Sequence, residues 1–418
     1  MLTFIHAADL HLDSPLIGLP HYDGAPVEQM RGSTRRAVEN LVDLALTEQV
    51  AFVLIAGDVY DGDWRDYNTG LFFAAQMTRL REAGTPVFII SGNHDAASQI
   101  SRSLRLPENV TVLPADSPGT ALLDDFGIAV HGQSFRTRAV ADDLSAAYPE
   151  PVAGMFNIGL LHTSADGRPG HDPYAPCSLD RLRAKGYDYW ALGHVHAREV
   201  LCDDPWIVFS GNTQGRHIRE LGEKGCTLVT LEDGAVLAAE PRELDVARWA
   251  VCEVCVPDAD GEEDIATSAA TAVERELIKH EGRPLAVRCL LTVPPSARAE
   301  LLASEERWLN EIRAAVTDMS GGMAWVEKVV VRTTPSSVSL VDEGVIGEVL
   351  AAIQEADLSG EDLQQLVREV RDFVAKLPPE LRKGEDGHEL ATESAVRAML
   401  GEVKVLLGTR LFRQGGAR

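Results

Sequence analysis

Apolar runs that stop abruptly at Asp, Asn or His restrict the fold of this chain more than any other feature. Val87-Phe88-Ile89-Ile90 reads as a buried strand and stops at Ser91-Gly92-Asn93-His94-Asp95. A tight glycine turn there delivers an amide, an imidazole and a carboxylate to one point. Phe4-Ile5-His6-Ala7-Ala8 runs the same way into Asp9-Leu10-His11, and Phe52-Val53-Leu54-Ile55-Ala56 runs into Gly57-Asp58. Further on, Ile158-Gly159-Leu160-Leu161 leads to His162, and Tyr189-Trp190-Ala191-Leu192-Gly193 leads to His194-Val195-His196. Polar tips on parallel strands collect at the carboxyl edge of a sheet, where open α/β sheets place their sites.

The segments between these runs set the architecture. A polar loop from Asp13 to Val27 precedes a helix expected from about Glu28 to Gln49, in which Val38, Leu41, Val42, Ala45 and Leu46 keep helical spacing. Asp61 to Arg65 is a loop, and Leu71 to Glu82 reads as a second helix closed by Gly84, with Pro86 opening the next strand. This βαβαβ unit implies a parallel sheet. Strand-like runs then follow more closely, at Val110 to Leu113, Gly127 to Val130, Pro205 to Asn212 and Cys226 to Leu231. Two sheets packed on each other with helices outside, over 1–240, are the expected result.

With 418 residues the chain exceeds one average domain. Over 245–333 a small α/β domain is expected: a strand from Arg248, a helix from Ile265 to Lys279, a strand from Leu285 to Val293, a helix from Ala297 to Val316 and a strand from Trp325 to Val331. Thr333-Thr334-Pro335-Ser336-Ser337 reads as a linker. The segment 340–418 is expected to be helical, with helices from Val345 to Ala356, from a capped start at Ser359-Gly360-Glu361-Asp362 to Leu377, and from Thr392 to Leu407.

Charge and cysteine usage exclude some classes. With 64 acidic and 39 basic residues, the formal net charge of -25 argues against a nucleic-acid coat, because such affinity comes from neutralising phosphates with Lys and Arg. The motif-bearing part nevertheless carries Arg31, Arg35, Arg36, Arg65, Arg102, Arg105, Arg136, Arg138, Arg168, Arg216 and Arg219. Six scattered cysteines do not form a secreted disulfide framework. Cys252 and Cys255 form a CxxC, but within a strand they face opposite sides and no second pair follows, so they read as packed thiols. No apolar run approaches the roughly 20 residues of a membrane span and Met1-Leu2-Thr3-Phe4-Ile5 opens a strand at once. A cytoplasmic protein with no membrane contact is expected.

Carboxylate, imidazole and carbonyl donors together suit hard and borderline divalent cations. Two such cations about 3.5–4 Å apart activate a nucleophile and stabilise the entering and leaving oxygens of an in-line attack on phosphorus. Phosphoester hydrolysis is the natural reaction. Taken singly, GD or GN at a strand end is ordinary turn chemistry, and a lone histidine such as His162 is most often packed and hydrogen-bonded. Five such endings in order are far harder to assign to turns. His6 lies inside a strand and reads as structural, His131 as a strand end without a role, and His217 as part of a loop that lines the site or merely borders it.

In order, Asp9-Leu10-His11, Gly57-Asp58, Gly92 to Asp95, His162 and Gly193 to His196 resemble the full signature of the calcineurin-like metallophosphoesterases. The resemblance implies an α/β fold, a two-sheet αββα sandwich. It also implies one metal held by Asp9, His11, Asp58 and His196, and a second held by Asp58, Asn93, His162 and His194, with Asp58 shared. His94 is then a non-ligand that contacts the phosphate and aids departure of the leaving group, and Asp95 orients or polarises it.

Within that family, the stretch His6 to Asp13 and the block Ser210-Gly211-Asn212-Thr213-Gln214-Gly215-Arg216, with Glu220 and Lys224-Gly225 behind it, are similar to bacterial SbcD and YhaO-type DNA repair exonucleases. That likeness implies two Mn²⁺ ions, DNA cut from 3′ ends or at single-stranded sites, and a capping domain that reads duplex shape. It further implies a homodimer through the first helices and C-terminal helices docked on an SMC-type coiled-coil ATPase, SbcC-like or YhaN-like. The apolar stripe Val396, Met399, Leu400, Val403, Leu406 and Leu407 would serve that docking or an internal core. One position departs from archaeal and eukaryotic relatives, which tend to carry a histidine three residues after the bridging aspartate. Here it is Asp61, as in many bacterial members, and no strand-handling role is expected for it. Two other readings stay open: a metal-dependent phosphodiesterase or phosphatase acting on a small-molecule or protein substrate, and a non-enzymatic scaffold, which would predict lost ligand positions.

Overall fold

A computed structural model describes residues 1–14, 32–61, 67–97, 105–167, 174–256, 262–293, 301, 304–333, 360–376, 391–397, 399–401 and 403–404. The expected loop beyond residue 14, the linker beyond residue 333, the helix from Val345 to Ala356, and Arg31, Arg65, Arg102 and Arg168 lie outside the described residues.

Four short apolar runs become the parallel strands β1 (Leu2–Ala7), β2 (Phe52–Ala56), β3 (Val87–Ile90) and β4 (Val110–Val112). They are linked by α1 (Ser33–Thr47), α2 (Tyr67–Glu82) and the five-residue α3 (Asn93–Ala97). The second sheet contains β5 (Gly119–Leu123), β6 (Ile128–Gly132), β7 (Phe156–His162), β8 (Tyr189–Gly193), β9 (Glu199–Asp203) and β10 (Trp206–Phe209), in the order β5-β6-β7-β8-β10-β9. The helix α4 (Leu179–Ala184) precedes β8. The chain then returns to the first sheet. There β11 (Gly225–Glu232) pairs antiparallel with β1, and β12 (Ala235–Glu243) closes the edge, giving β12-β11-β1-β2-β3-β4.

Strands covered on both faces read as unbroken apolar runs, and that is the reason for the sequence pattern. Phe4, Phe52, Leu54, Phe88 and Ile90 of the first sheet meet Val130, Ile158, Leu160, Tyr189 and Val208 of the second in one buried layer. Phe4 stacks on Phe52 with ring centroids 4.7 Å apart. The alternate residues Ile5, Val53, Ile55, Val87 and Ile89 face outward against Val38, Leu41, Val42 and Ala45 of α1 and Phe73, Met77 and Leu80 of α2. Trp190, Leu192 and Leu161 cover the outer face of the second sheet with Tyr148, Leu182 and Tyr187. The two-sheet sandwich with outer helices is therefore the observed fold.

A third sheet contains β13 (Arg248–Cys255), β14 (Leu285–Val293) and β15 (Ala324–Thr333), with α5 (Glu262–Lys279) and α6 (Glu305–Ser320) between them in the chain. The chain divides into two compact units, one comprising Met1–Val254, Gly261–Leu291 and Leu309–Val330, the other Cys255–Asp260, Thr292–Trp308 and Val331–Arg418. In the first, Trp249 and Trp325 bury against Ala247 and Ala286. In the second, α7 (Glu361–Val374) buries Leu363 and Val367 against Val396. Of the apolar C-terminal stripe, Val396 is thus internal and Met399 and Val403 are exposed, while Leu406 and Leu407 lie outside the described residues. All six cysteines are free. Cys252 is buried and Cys255 exposed, so only the first of the CxxC pair is a packed thiol.

His6 sits inside β1 as a structural residue. It bonds the Tyr189 hydroxyl through Nδ1 at 3.0 Å and donates from Nε2 to the Leu192 carbonyl at 3.1 Å, tying the two sheets together. Burial pushes its pKa down to about 3, against the hydrogen bond to Leu192. The unfolded chain therefore takes up this proton near pH 6.5 while the folded chain does not, so stability is present above pH 6.5 and is lost as pH falls toward 3. We predict that metal-free wild type loses up to about 1.4 kcal/mol per pH unit relative to His6→Gln in that window. Urea unfolding of both proteins between pH 4.5 and 7.5 measures it; parallel pH dependences would contradict it.

Candidate metal centre

The carboxyl ends of β1, β2, β3, β7 and β8 open onto one edge, and the residues just beyond them leave ordinary backbone geometry. Asp9, His11, Asp58 and His194 have φ of 53, 42, 52 and 98°, a region costly for side chains with a Cβ and often found where a site imposes it. Backbone bonds clip the turns together: Asp9 N–H donates to Gly57 O and His11 N–H to Asp58 O, each at 3.0 Å. Two glycines permit the approach. A Cβ on Gly92 would strike the Asp58 carboxylate and the His162 ring, and one on Gly193 would strike the Ala56 carbonyl.

Nearly every donor is buried. Asp9, Asp58, His11 and His162 are at most 1% exposed and Asn93 is 4% exposed. His162 donates from Nδ1 to the Ala56 carbonyl at 2.8 Å, which leaves its Nε2 lone pair 3.0 Å from Asn93 Oδ1 and 3.5 Å from Asp58 Oδ2. Three acceptors converge there with no proton among them, an arrangement that a cation satisfies. His196 gives its Nδ1 proton to Glu220 Oε1 at 2.6 Å, so its Nε2 lone pair points inward, 3.2 Å from His11 Nε2. Among the described residues, three sets of side chains bring ligand atoms within 4.8 Å of one another: Asp9, His11 and His196; His11, Asp58 and His94; and Asp9, Asp58 and His162. His194 stacks edgewise on His162 and on Tyr174, and its backbone N–H donates to both Asp9 oxygens at 3.2 and 3.0 Å.

Crowding of carboxylates in a dry pocket shows in their proton affinities. Burial, and next the charge of Asp58, raises Asp9 well above the usual carboxylate range. Burial lifts Asp58 to about 6 even though His94 attracts its charge. His11 is driven well below its ordinary value, by burial first and then by the Arg216 charge. A site that makes its carboxylates hard to ionise and its imidazoles hard to protonate is matched by divalent cations, which favour the deprotonated form of both.

His94 stands at the rim with its side chain 28% exposed. Its backbone N–H donates to Asp58 Oδ1 at 2.9 Å and its Nδ1 lies 3.0 Å from Asp61 Oδ1. Asp95 takes a different place from the expected one. Its carboxylate accepts from the backbone N–H groups of Val59, Tyr60 and Gly92 at 3.2, 3.0 and 3.1 Å, fastening the β2 and β3 turns. Asp61 orients His94 instead. Burial disfavours its charge, but His11 and His94 hold it well below the usual carboxylate range. Burial alone would depress His94, yet Asp61 and Asp58 raise it above its ordinary value.

Sequence reasoning gave no role to Asp61 and none to Glu220 on His196. The available signal for Asp61 was its position three residues past Asp58 in the same turn. His131 is buried in β6, bonded to Thr120 and Asn157, away from this edge. His217 lies 3.4 Å from Glu220, at the border of the cluster.

Residues 2–198 match the calcineurin-like phosphoesterase family and residues 249–334 match the middle domain of the metallophosphoesterase YhaO. Over 323 residues the chain is 36% identical to the uncharacterized metallophosphoesterase YhaO of Bacillus subtilis (strain 168), covering 76% of this chain and 78% of that protein. Among solved structures, it aligns with a dimetal phosphatase from Danio rerio (TM-score 0.34, 12% identity, 56% of this chain and 93% of the other). It also aligns with GAP50, the anchor in the inner membrane complex of Plasmodium (TM-score 0.31, 12% identity, 58% and 88%). With its ordered motifs gathered at one sheet edge and a relative this similar along most of its length, the chain belongs to the calcineurin-like metallophosphoesterases, metal-dependent hydrolases of phosphoesters.

Proposed function

We propose that this metallophosphoesterase is a Mn²⁺-dependent DNA nuclease, cutting from 3′ ends or at single-stranded sites. The observation that carries a two-metal reaction is the gathering of Asp9, His11, Asn93, His162 and His196 about the buried carboxylate Asp58. Asp9, His11, Asp58 and His196 would hold one cation, and Asp58, Asn93, His162 and His194 the other. When bound, the cations supply Lewis acidity that activates water and the phosphoryl oxygens.

The chain's own groups do the rest. Glu220 fixes the proton of His196 on Nδ1, and Ala56 fixes that of His162 on Nδ1, so both rings keep a lone pair for a ligand position. Asp61 accepts from His94 Nδ1, which leaves Nε2 to face the substrate. Burial disfavours the charged ring, but Asp61 and Asp58 outweigh it and favour the protonated form of His94. A protonated Nε2 at the rim can donate to the departing oxygen.

DNA as substrate is supported by the likeness of His6 to Asp13 and of Ser210 to Arg216 to the DNA repair exonucleases, and by the match of 249–334 to the YhaO middle domain. In this reading the segment 245–333 acts as a cap and 340–418 docks an SMC-type ATPase, whose basic surface would offset the net charge of -25. A cytoplasmic location and a homodimer belong to the same reading. Among the described residues no helix is long and apolar enough to cross a membrane.

Two measurements test the proposal. The purified chain with Mn²⁺ is expected to degrade a labelled DNA duplex or single strand and to lose at least about 100-fold of that rate in His94→Ala. If it hydrolyses only an aryl phosphodiester, or prefers phosphopeptides and nucleotides, DNA is the wrong substrate. Asp61→Asn should lower kcat about 10- to 100-fold on DNA, whose leaving alkoxide needs a proton, and much less on a p-nitrophenyl ester, whose leaving group does not. Equal losses on both substrates would assign Asp61 a purely structural part.

A further inference from the structure

We propose that Arg216 binds the non-bridging oxygens of the scissile phosphoryl group and that Glu220 holds it there, a specificity element outside the metal-ligand set. The inference deepens the phosphoesterase reading above and rests on it.

Arg216 ends a loop that is fastened from several directions. Asn212 Nδ2 donates to Gln214 O at 2.8 Å and to Glu220 Oε2 at 3.0 Å. Gln214 Nε2 donates to Ala247 O at 2.6 Å, and Trp249 Nε1 on β13 donates to Gly215 O at 3.2 Å. The Arg216 backbone N–H itself donates to Glu220 Oε2 at 2.7 Å. The side chain is therefore delivered from a rigid base, which is what precise recognition needs.

Arg216 is more than the counterion of Glu220. Glu220 already accepts from His196 Nδ1, Asn212 Nδ2 and the Arg216 backbone, so most of its lone-pair sites are filled without a guanidinium. Of the Arg216 nitrogens, Nη2 donates to Glu220 Oε1 at 3.2 Å and is also 3.2 Å from His196 Nδ1, whose own proton is committed to Glu220. Among the described residues, Nη1 reaches only Ser14 Oγ at 3.4 Å and Asp61 Oδ1 at 3.8 Å. Nε is buried and has no partner among the described residues. Of the five guanidinium donors, the described residues take one on Nη1 and one on Nη2, which leaves a second proton on each of these nitrogens.

Arg216 touches His196 on one side and, through Asp61, lies beside His94 on the other. It thus borders both the cluster and the rim imidazole, and its charge is felt at Asp9, His11, Asp58, Asp61 and His94. A planar fork of donors suits the two non-bridging oxygens of a phosphoryl group bidentately, and Lys cannot reproduce it.

The test uses the full chain loaded with Mn²⁺ and inorganic phosphate as the probe, with isothermal titration of both. Arg216→Ala should weaken phosphate binding at least 10-fold and raise KM for bis(p-nitrophenyl) phosphate, with Mn²⁺ affinity within about 3-fold of wild type. Arg216→Lys should recover only part of the phosphate affinity. Glu220→Gln should weaken Mn²⁺ binding about 10- to 100-fold through His196 and phosphate binding as well. Arg219→Ala, a neighbouring exposed arginine, serves as the control. Unchanged phosphate affinity in Arg216→Ala, or a loss of Mn²⁺ and phosphate binding in equal measure, would overturn this inference alone. A wild-type chain that binds neither Mn²⁺ nor phosphate would overturn the phosphoesterase reading along with it.

Discussion

Asp58 is a carboxylate taken out of water at the meeting point of two sheets, and the arrangement around it follows from that cost. Removing an isolated carboxylate from solvent costs several kcal/mol even after relaxation. One backbone N–H, from His94, reaches its Oδ1 at 2.9 Å, which offsets part of that cost. The nearest imidazoles, His11 at 3.9 Å and His162 at 3.5 Å, approach Asp58 Oδ2 without forming a close ion pair. Asp9 makes the balance worse, since its charge and that of Asp58 oppose each other. Such a cluster is costly as protein alone, and divalent cations offset that cost by favouring the deprotonated carboxylates and neutral imidazoles.

The fold supplies this concentration through strand ends. β1, β2 and β3 are parallel in one sheet, and β7 and β8 are parallel in the other, with His162 level with Gly193. Each strand is buried on both faces and terminates where the sandwich opens, so side chains just past the apolar runs have nowhere to go but the shared edge. His6, a layer below, ties the sheets with two hydrogen bonds and keeps that edge aligned. The left-handed backbone at Asp9, His11, Asp58 and His194 is held by the sheets behind it rather than by local preference.

Much of this is legible in the sequence because it depends on local pattern. The unbroken apolar runs mark strands covered on both sides, the helical spacing in α1 marks its buried face, and the polar ending of each run marks the edge. What sequence reading missed depends on three-dimensional neighbours. Asp95 is adjacent to His94 in the chain, yet the turn of α3 aims its carboxylate at the backbone of Val59 and Tyr60. Asp61, remote from His94 in sequence, meets its Nδ1 because the β2 and β3 turns are side by side. Glu220 and Arg216 reach the site from a loop anchored on β13, which no spacing rule connects to a strand end. Cys255 and Val396 illustrate the same limit: strand and helix periodicity give a face, and only packing says what covers it.

A two-cation centre built on Asp58 would need that one carboxylate for both ions. Metal content per chain, measured by elemental analysis after equilibrium dialysis against Mn²⁺, tests this directly in wild type and in Asp58→Asn. Sharing of Asp58 predicts two equivalents for wild type and fewer than one for the variant, with both proteins folded. One equivalent in wild type, or two retained by Asp58→Asn, would contradict it.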